Sequence, residues 1–296
     1  MDQTSFENDN TSNCIIGSEV PDATKSEPCW LGIDEAGRGP VLGPMVYGTC
    51  YSPICKKQDL EDLKFADSKT LTEEQRESIF EKLNGAKELI GWMVEILSPT
   101  YISNSMLRRS KYNLNALSHD CAIGLIQRVL DQGVNVAEIY VDTVGDPVKY
   151  QDKLKALFPS IDITVAKKAD ADYQIVGAAS ICAKVARDKA VKSWSFGENI
   201  ETDGNYGSGY PSDPSTKKFM SASLDHIFGF PQFVRFSWST ADKIIQKNGA
   251  TFKWEDDEEE ENQNVQSLIK FMGKKDEATN RHRFYKERCL SNVTNL

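Results

Sequence analysis

Asp34 and Glu35 stand side by side at the end of an apolar run and are followed, after Ala36, by Gly37-Arg38-Gly39-Pro40. Two carboxylates and a glycine-flanked guanidinium therefore share one short segment. Carboxylate oxygens are hard ligands that suit magnesium or manganese, and an arginine on bare backbone suits a phosphate. Two further acids mark element boundaries: Asp142 after Ile139-Tyr140-Val141, and Asp170 within Lys167-Lys168-Ala169-Asp170-Ala171-Asp172. A pair of divalent cations bridging a scissile phosphate needs carboxylates from separate elements, and four acids on three elements can supply them. Simpler roles stay open at this point. Asp142 can cap the turn that follows it, and Asp170 or Asp172 can cap the next helix.

Bases accompany these acids. Arg38 lies in the glycine turn, Lys69 follows Asp67-Ser68, and Lys184 and Arg187, three residues apart, share a helix face with Ser180. Such groups hold a nucleic-acid backbone. The alternative for Lys184 is an ion pair with Asp188 on an exposed helix face. Tyr210 sits in Tyr206-Gly207-Ser208-Gly209-Tyr210-Pro211, where its ring can stack on a sugar or base and its hydroxyl can meet a 2′-OH, or where it can simply pack on the body.

The elements that must carry these residues can be read from periodicity. Cys29 to Ile33 reads as a buried strand ended by the glycine turn, and Asp34 and Glu35, on opposite faces of a regular strand, converge only if the chain bends there. Val41 to Tyr51 and Glu88 to Leu97 read as strands around a helix from Glu73 to Asn84, with Thr72 and Gln75 as a capping box and Gly85 as its end. Leu117, Cys121, Leu125 and Val129 mark one helix face, which stops at Gly133. Strands at Ala137 to Val141 and Ile161 to Val165 flank a helix from Lys149 to Phe158. A long alanine-rich helix runs from Tyr173 to Trp194, and Asp213-Pro214 starts another. Strand–helix–strand crossovers after three strands predict a mixed α/β sheet, in which Asp142 ends at the same edge as its parallel neighbour.

The 296 residues are 40% hydrophobic and 27% charged, the composition of a globular protein. The sequence has neither an apolar run of about 18 residues nor a basic-plus-apolar leader, so the expectation is an intracellular chain without a membrane span. Seven scattered cysteines without a Cys-x-x-Cys pair and three distant histidines argue against a zinc site. The net charge of -9 falls largely on the ends: residues 1–28 carry -5 and residues 251–296 carry -2, which leaves -2 for the body. A nearly neutral body can still place a basic groove beside an acidic site. Residues 1–28 read as a disordered arm, 29–250 as the folded body, and 251–296 as an acidic linker and tail. In that tail the Glu255-to-Glu261 run precedes an apolar stripe of Val265, Leu268, Ile269 and Met272.

Taken together, the segments GIDEAGRGPVLGPMVYG (32–48), ADSKTL (66–71), YVDTVGD (140–146), KADADY with AASICAKVARD (168–188) and GSGYPSDPST (207–216) resemble the type 2 ribonuclease H family, in particular the catalytic subunits of its eukaryotic members. The resemblance implies a ribonuclease H-like fold, a five-stranded mixed sheet flanked by helices, with a helical C-terminal extension. It implies Asp34, Glu35, Asp142 and Asp170 as catalytic ligands of two Mg2+ or Mn2+ ions. Gly37, Arg38, Gly39 and Tyr210 would read the 2′-OH of an RNA-to-DNA junction, with Lys69, Lys184 and Arg187 holding the backbone. The implied reaction is endonucleolytic cleavage of RNA/DNA hybrids and of ribonucleotide-containing DNA. It would serve replication and repair in the nucleus, in a heterotrimer with two accessory subunits. One departure is Gln174, where family members commonly carry a proline; Asp172 is left as a possible cap.

Overall fold

The computed structural model describes residues 1–62, 71–110, 112–198, 200, 202 and 204–250, with backbone only at 61 and 62. Lys69, the acidic run, the apolar stripe and the expected helical C-terminal extension lie outside the described residues. The chain divides into two units, Met1–Gly249 and Ala250–Leu296, of which the first carries the described elements.

The described strands are β1 (Cys14–Gly17), β2 (Cys29–Ala36), β3 (Met45–Pro53), β4 (Gly91–Leu97), β5 (Val136–Asp142) and β6 (Asp162–Ala166), joined in one sheet of order β1-β4-β3-β2-β5-β6. The first four pair antiparallel, and the β2–β5 and β5–β6 pairs are parallel. The described helices, in chain order, are α1 (Thr4–Asn8), α2 (Ala23–Ser26), α3 (Lys57–Asp62), α4 (Glu73–Gly85), α5 (Pro99–Met106), α6 (Leu114–Asp131), α7 (Pro147–Leu157), α8 (Ala169–Asp172), α9 (Gln174–Lys192), α10 (Pro214–Ala222) and α11 (Ser239–Asn248). The capping box of α4 forms as its sequence predicts, with Thr72 and Gln75 each accepting from the other's backbone. Asp213 caps α10 and Pro214 takes its first position.

One face of the sheet packs on α4 and α9 and the other on α6 and α7, so an apolar core lies on each side. Small residues set the closest of these contacts. A Cβ on Gly32 of β2 would sit 2.4 Å from the Ile175 backbone, and one on Gly48 of β3 would sit 2.5 Å from the Ala179 carbonyl. With Ala178, Ala179 and Ala183 fully buried opposite them, α9 settles directly on β2 and β3. Each of the buried Ile175, Val176 and Ile181 side chains adds roughly 1.5–3 kcal/mol to that contact.

Three expectations are corrected. Residues 1–28 are not a disordered arm: β1 adds a sixth strand beside β4, Phe6 is buried against Trp194, and the Gln3 amide donates to the Ala186 carbonyl at 2.9 Å. A four-residue edge strand is too short to show alternation in sequence, yet four backbone pairs hold it. The strand expected from Val41 begins only at Met45, because Val41 and Leu42 pair with other loops: the Val41 N–H donates to the Gly209 carbonyl at 2.8 Å, and Leu42 bridges Val234. The long helix forms where it was expected, as α9, but its cap is not the expected one: Tyr173, with extended backbone (φ -123°, ψ 113°), precedes it and separates it from the short α8. The α9 N-terminus carries no side-chain cap, so Asp172 does not fill that role.

Candidate active site

The parallel ladder of β2 and β5 ends at Ile33–Val141, one residue before Asp34 and Asp142. The two acids thus stand together at the carboxyl end of adjacent strands, where open α/β sheets commonly place their sites. The Asp142 carboxylate accepts from the Thr143 N–H at 3.0 Å and from the Ala169 N–H at 3.1 Å. The first bond is the turn contact its sequence allows, and the second ties the start of α8 to the end of β5 and carries Asp170 to the same edge. Lys168, in the left-handed region at φ 58°, makes the corner that permits this.

The bend that would bring Asp34 and Glu35 to one face is absent. The β2–β3 ladder runs unbroken through Asp34–Gly48, Glu35–Tyr47 and Ala36–Val46. Asp34 therefore faces α9, and Glu35 leaves on the opposite face toward α6 and α7. Ser180 of α9, fully buried, donates its hydroxyl to Asp34. Burial, with added repulsion from Asp142 and Asp170, pushes the Asp34 carboxyl up to about 7 against that hydrogen bond. Burial and then the charges of Asp34 and Asp142 push Glu35 up to about 8, while Arg38 acts the other way.

Among the described residues, no three acidic, histidine or cysteine side chains already form a metal cage. The donor set nevertheless fits divalent cations. All four candidate ligands are carboxylates, Asp34 and Asp170 are buried at 5% and 7% exposure, and the buried Glu35 Oε2 has no protein hydrogen-bond partner. Crowded carboxylates of this kind are what a hard cation neutralises.

The glycine turn lies beside the acids. Gly37 has φ +75°, and a Cβ there would fall 2.0 Å from Arg187 Nε, so the Arg187 side chain runs directly behind the turn. A Cβ on Gly39 would approach Tyr210 Cε1 at 3.1 Å. The turn and the half-exposed Tyr210 ring, separated by some 170 residues of sequence, are thus in contact. Tyr210 sits between glycines in positive φ and a carboxylate brace, in which Asp213 accepts from the Ser208 N–H at 2.6 Å. Lys184 is half-buried on α9. Asp188 pairs with Arg76 of α4 at 2.6 Å.

Three residues escape a reading of the sequence. Arg235 is fully buried and donates to three carbonyls: Gly43 at 2.8 Å, Arg38 at 3.1 Å and Gly37 at 2.6 Å. Trp238, whose ring lies under that guanidinium, donates from Nε1 to the Gly39 carbonyl at 3.2 Å. Asn115 of α6 accepts from the Arg38 guanidinium. Nothing in PQFVRFSW (231–238) marks an arginine that closes on a turn almost 200 residues earlier.

A mixed sheet flanked by helices, with its acids at the carboxyl edge, is the ribonuclease H-like fold. The family model described as Ribonuclease HII matches residues 31–241. The chain is 52% identical over 299 residues to a ribonuclease H2 subunit of Bos taurus, and 52% identical over 300 residues to its counterpart in Homo sapiens, each alignment covering all of both chains. Among solved structures, ribonuclease H2 from Pyrococcus horikoshii superposes with a TM-score of 0.61 at 35% identity, covering 74% of this chain and 98% of that one. The chain belongs to the ribonuclease HII family. It is a type 2 ribonuclease H, an endoribonuclease.

Proposed function

We propose that the chain hydrolyses the RNA strand of RNA/DNA hybrids and incises duplex DNA 5′ to single embedded ribonucleotides, leaving 3′-OH and 5′-phosphate ends. The observation that carries this reading is the contact between the Gly39 backbone and the Tyr210 ring beside the four acids. That contact supports a reader of sugar identity next to a site for hydrolysis. Asp34, Glu35, Asp142 and Asp170 would hold two Mg2+ or Mn2+ ions, which when bound supply an activated water and stabilise the departing 3′-oxygen. Ser180 holds Asp34, and the backbone of α8 holds Asp142. Arg235 and Trp238 fix the carbonyls of the glycine turn, so that its N–H groups and the Arg38 guanidinium, steadied by Asn115, would meet a phosphate and a 2′-OH. Arg187 and Lys184 of α9, with Lys69, add positive charge for the flanking phosphates.

The mammalian relatives are named as subunits of ribonuclease H2, and the reading extends to a heterotrimer with two accessory subunits, docked through residues 251–296 and working in the nucleus. No described helix is long and apolar enough to cross a membrane. The test is magnesium-dependent incision of a duplex containing one ribonucleotide, with Tyr210→Ala beside the wild type. Single-ribonucleotide incision should fall more than cleavage of a long hybrid; equal losses on both substrates would count against junction reading.

A further inference from the structure

Behind Glu35, four buried polar atoms meet no protein group in hydrogen-bond geometry: Glu35 Oε2, the Tyr47 and Tyr150 hydroxyls, and Ser118 Oγ. Tyr47 and Tyr150 are each 1% exposed and Ser118 is fully buried. They belong together. Tyr47 of β3 is the direct cross-strand partner of Glu35, so both side chains leave the sheet on the same face with Cβ atoms roughly 4.5–5.5 Å apart. Burial, and next the Glu35 carboxylate, push the Tyr47 and Tyr150 phenols up, while the neighbouring Ser118 hydroxyl acts against this at Tyr47. Tyr150, on α7, is fixed by a parallel stack on His119 of α6, with ring centroids 3.8 Å apart, and His119 Nε2 lies 3.3 Å from the Val144 carbonyl.

An isolated buried hydroxyl costs about 1–3 kcal/mol, and buried polar groups in native proteins are paired with protein or ordered water. Two phenols that feel the Glu35 charge, with Ser118 beside one of them, share this carboxylate as their nearest common acceptor. Asp34 has its own donor in Ser180, but Ser180 lies on the wrong face of the sheet to serve Glu35.

We propose that Tyr47, Tyr150 and Ser118 form a polar pocket that holds the Glu35 carboxylate by hydrogen bonds, directly or through ordered water, and so fixes how it meets a divalent cation. The two tyrosines are positioning residues. This proposal rests on the metal reading given above and adds to it the machinery for the one ligand that leaves the opposite face of the sheet. A hydrogen-bonding partner behind a ligating carboxylate commonly governs metal affinity by roughly 10- to 100-fold.

The test is calorimetric titration of Mn2+ into the full chain without substrate, on wild type, Tyr47→Phe, Tyr150→Phe and the double variant, with a thermal melt of each. Loss of the hydroxyls should leave the melting temperature unchanged or raised and weaken Mn2+ binding by roughly 10-fold. In cleavage, the same variants should need more Mn2+ while KM for a hybrid at saturating Mn2+ is unaltered. Wild-type Mn2+ affinity in the folded double variant would overturn the proposal and leave the metal reading intact. Failure of the wild-type chain to bind Mn2+ would overturn both. Should Tyr47→Phe fail to fold, Ser118→Ala and Tyr150→Phe are titrated instead, and wild-type affinity in both overturns the proposal.

Discussion

At Arg235 a guanidinium is fully buried and spends its donors on three carbonyls, two in the glycine turn and one at Gly43. Burial holds its pKa well down, with Arg187 adding repulsion. A buried charge is tolerated when its hydrogen bonds are complete, and removing it strands its acceptors. Arg235→Ala should therefore cost about 3 kcal/mol or more, from several carbonyls left unpaired at about 1–3 kcal/mol each, measured by urea unfolding. Arg235→Lys should recover only part of this, because an ammonium cannot reach three acceptors in one plane. Equal stability of the Ala variant and the wild type would sink the clamp. Asp34→Asn tests the other side of the residue scale. It should abolish cleavage, leave hybrid binding largely intact, and raise the melting temperature in EDTA, since it removes a carboxylate that burial and its neighbours disfavour. A lowered melting temperature would contradict the electrostatic account.

At the scale of elements, the site depends on how closely α9 lies on the sheet. Gly32→Ala would drive a Cβ to 2.4 Å from the Ile175 backbone, and backbone cannot yield as a flexible side chain can. The helix must shift, at a cost of about 1–3 kcal/mol. Activity should fall with it, because Ser180 moves away from Asp34; an active, equally stable Gly32→Ala variant would refute the argument. Much at this scale was legible in sequence. Thr72 with Gln75 and Asp213 with Pro214 announce their helices through local capping chemistry, and the strand runs before Asp34 and Asp142 place both acids at one edge. Other features rest on contacts distant in sequence and leave no local mark. Arg235 and Asn115 reach the glycine turn only in the folded chain. Whether the chain bends between Asp34 and Glu35 could not be read from the sequence; the pairing of Glu35 with Tyr47 keeps the strand regular. Cys14 to Gly17 was missed because a four-residue edge strand draws its stability from β4 and carries no pattern of its own.

For the whole molecule, the raised carboxyls link stability to pH. Asp34 and Glu35 stand at about 7 and about 8, above ordinary carboxyl values near 4. Between roughly pH 4 and pH 8 the folded chain thus retains protons that the unfolded chain has released, and stability without metal falls as pH rises. Melts in EDTA should drop from about pH 5 to about pH 8. Millimolar Mn2+ should lift the value at the alkaline end most, and Asp34→Asn should flatten the slope; a metal-free stability that rises across this range would contradict the burial of the pair. Assembly is a property of the same scale. A chain truncated after Ala250 should lose co-purification of its accessory subunits on co-expression, and unchanged assembly would remove the tail from consideration. The central claim is that four acids and a glycine–tyrosine junction make one site that cuts at ribonucleotides. Its most direct measurement is incision of a duplex with a single ribonucleotide in Mg2+, with and without partner subunits, by the wild type and by a folded Asp34→Asn chain. The account predicts one wild-type nick, 5′ to the ribonucleotide, with a 3′-OH end, and no product from Asp34→Asn. Robust turnover by the Asp34→Asn chain, or a wild-type cut elsewhere, would contradict it.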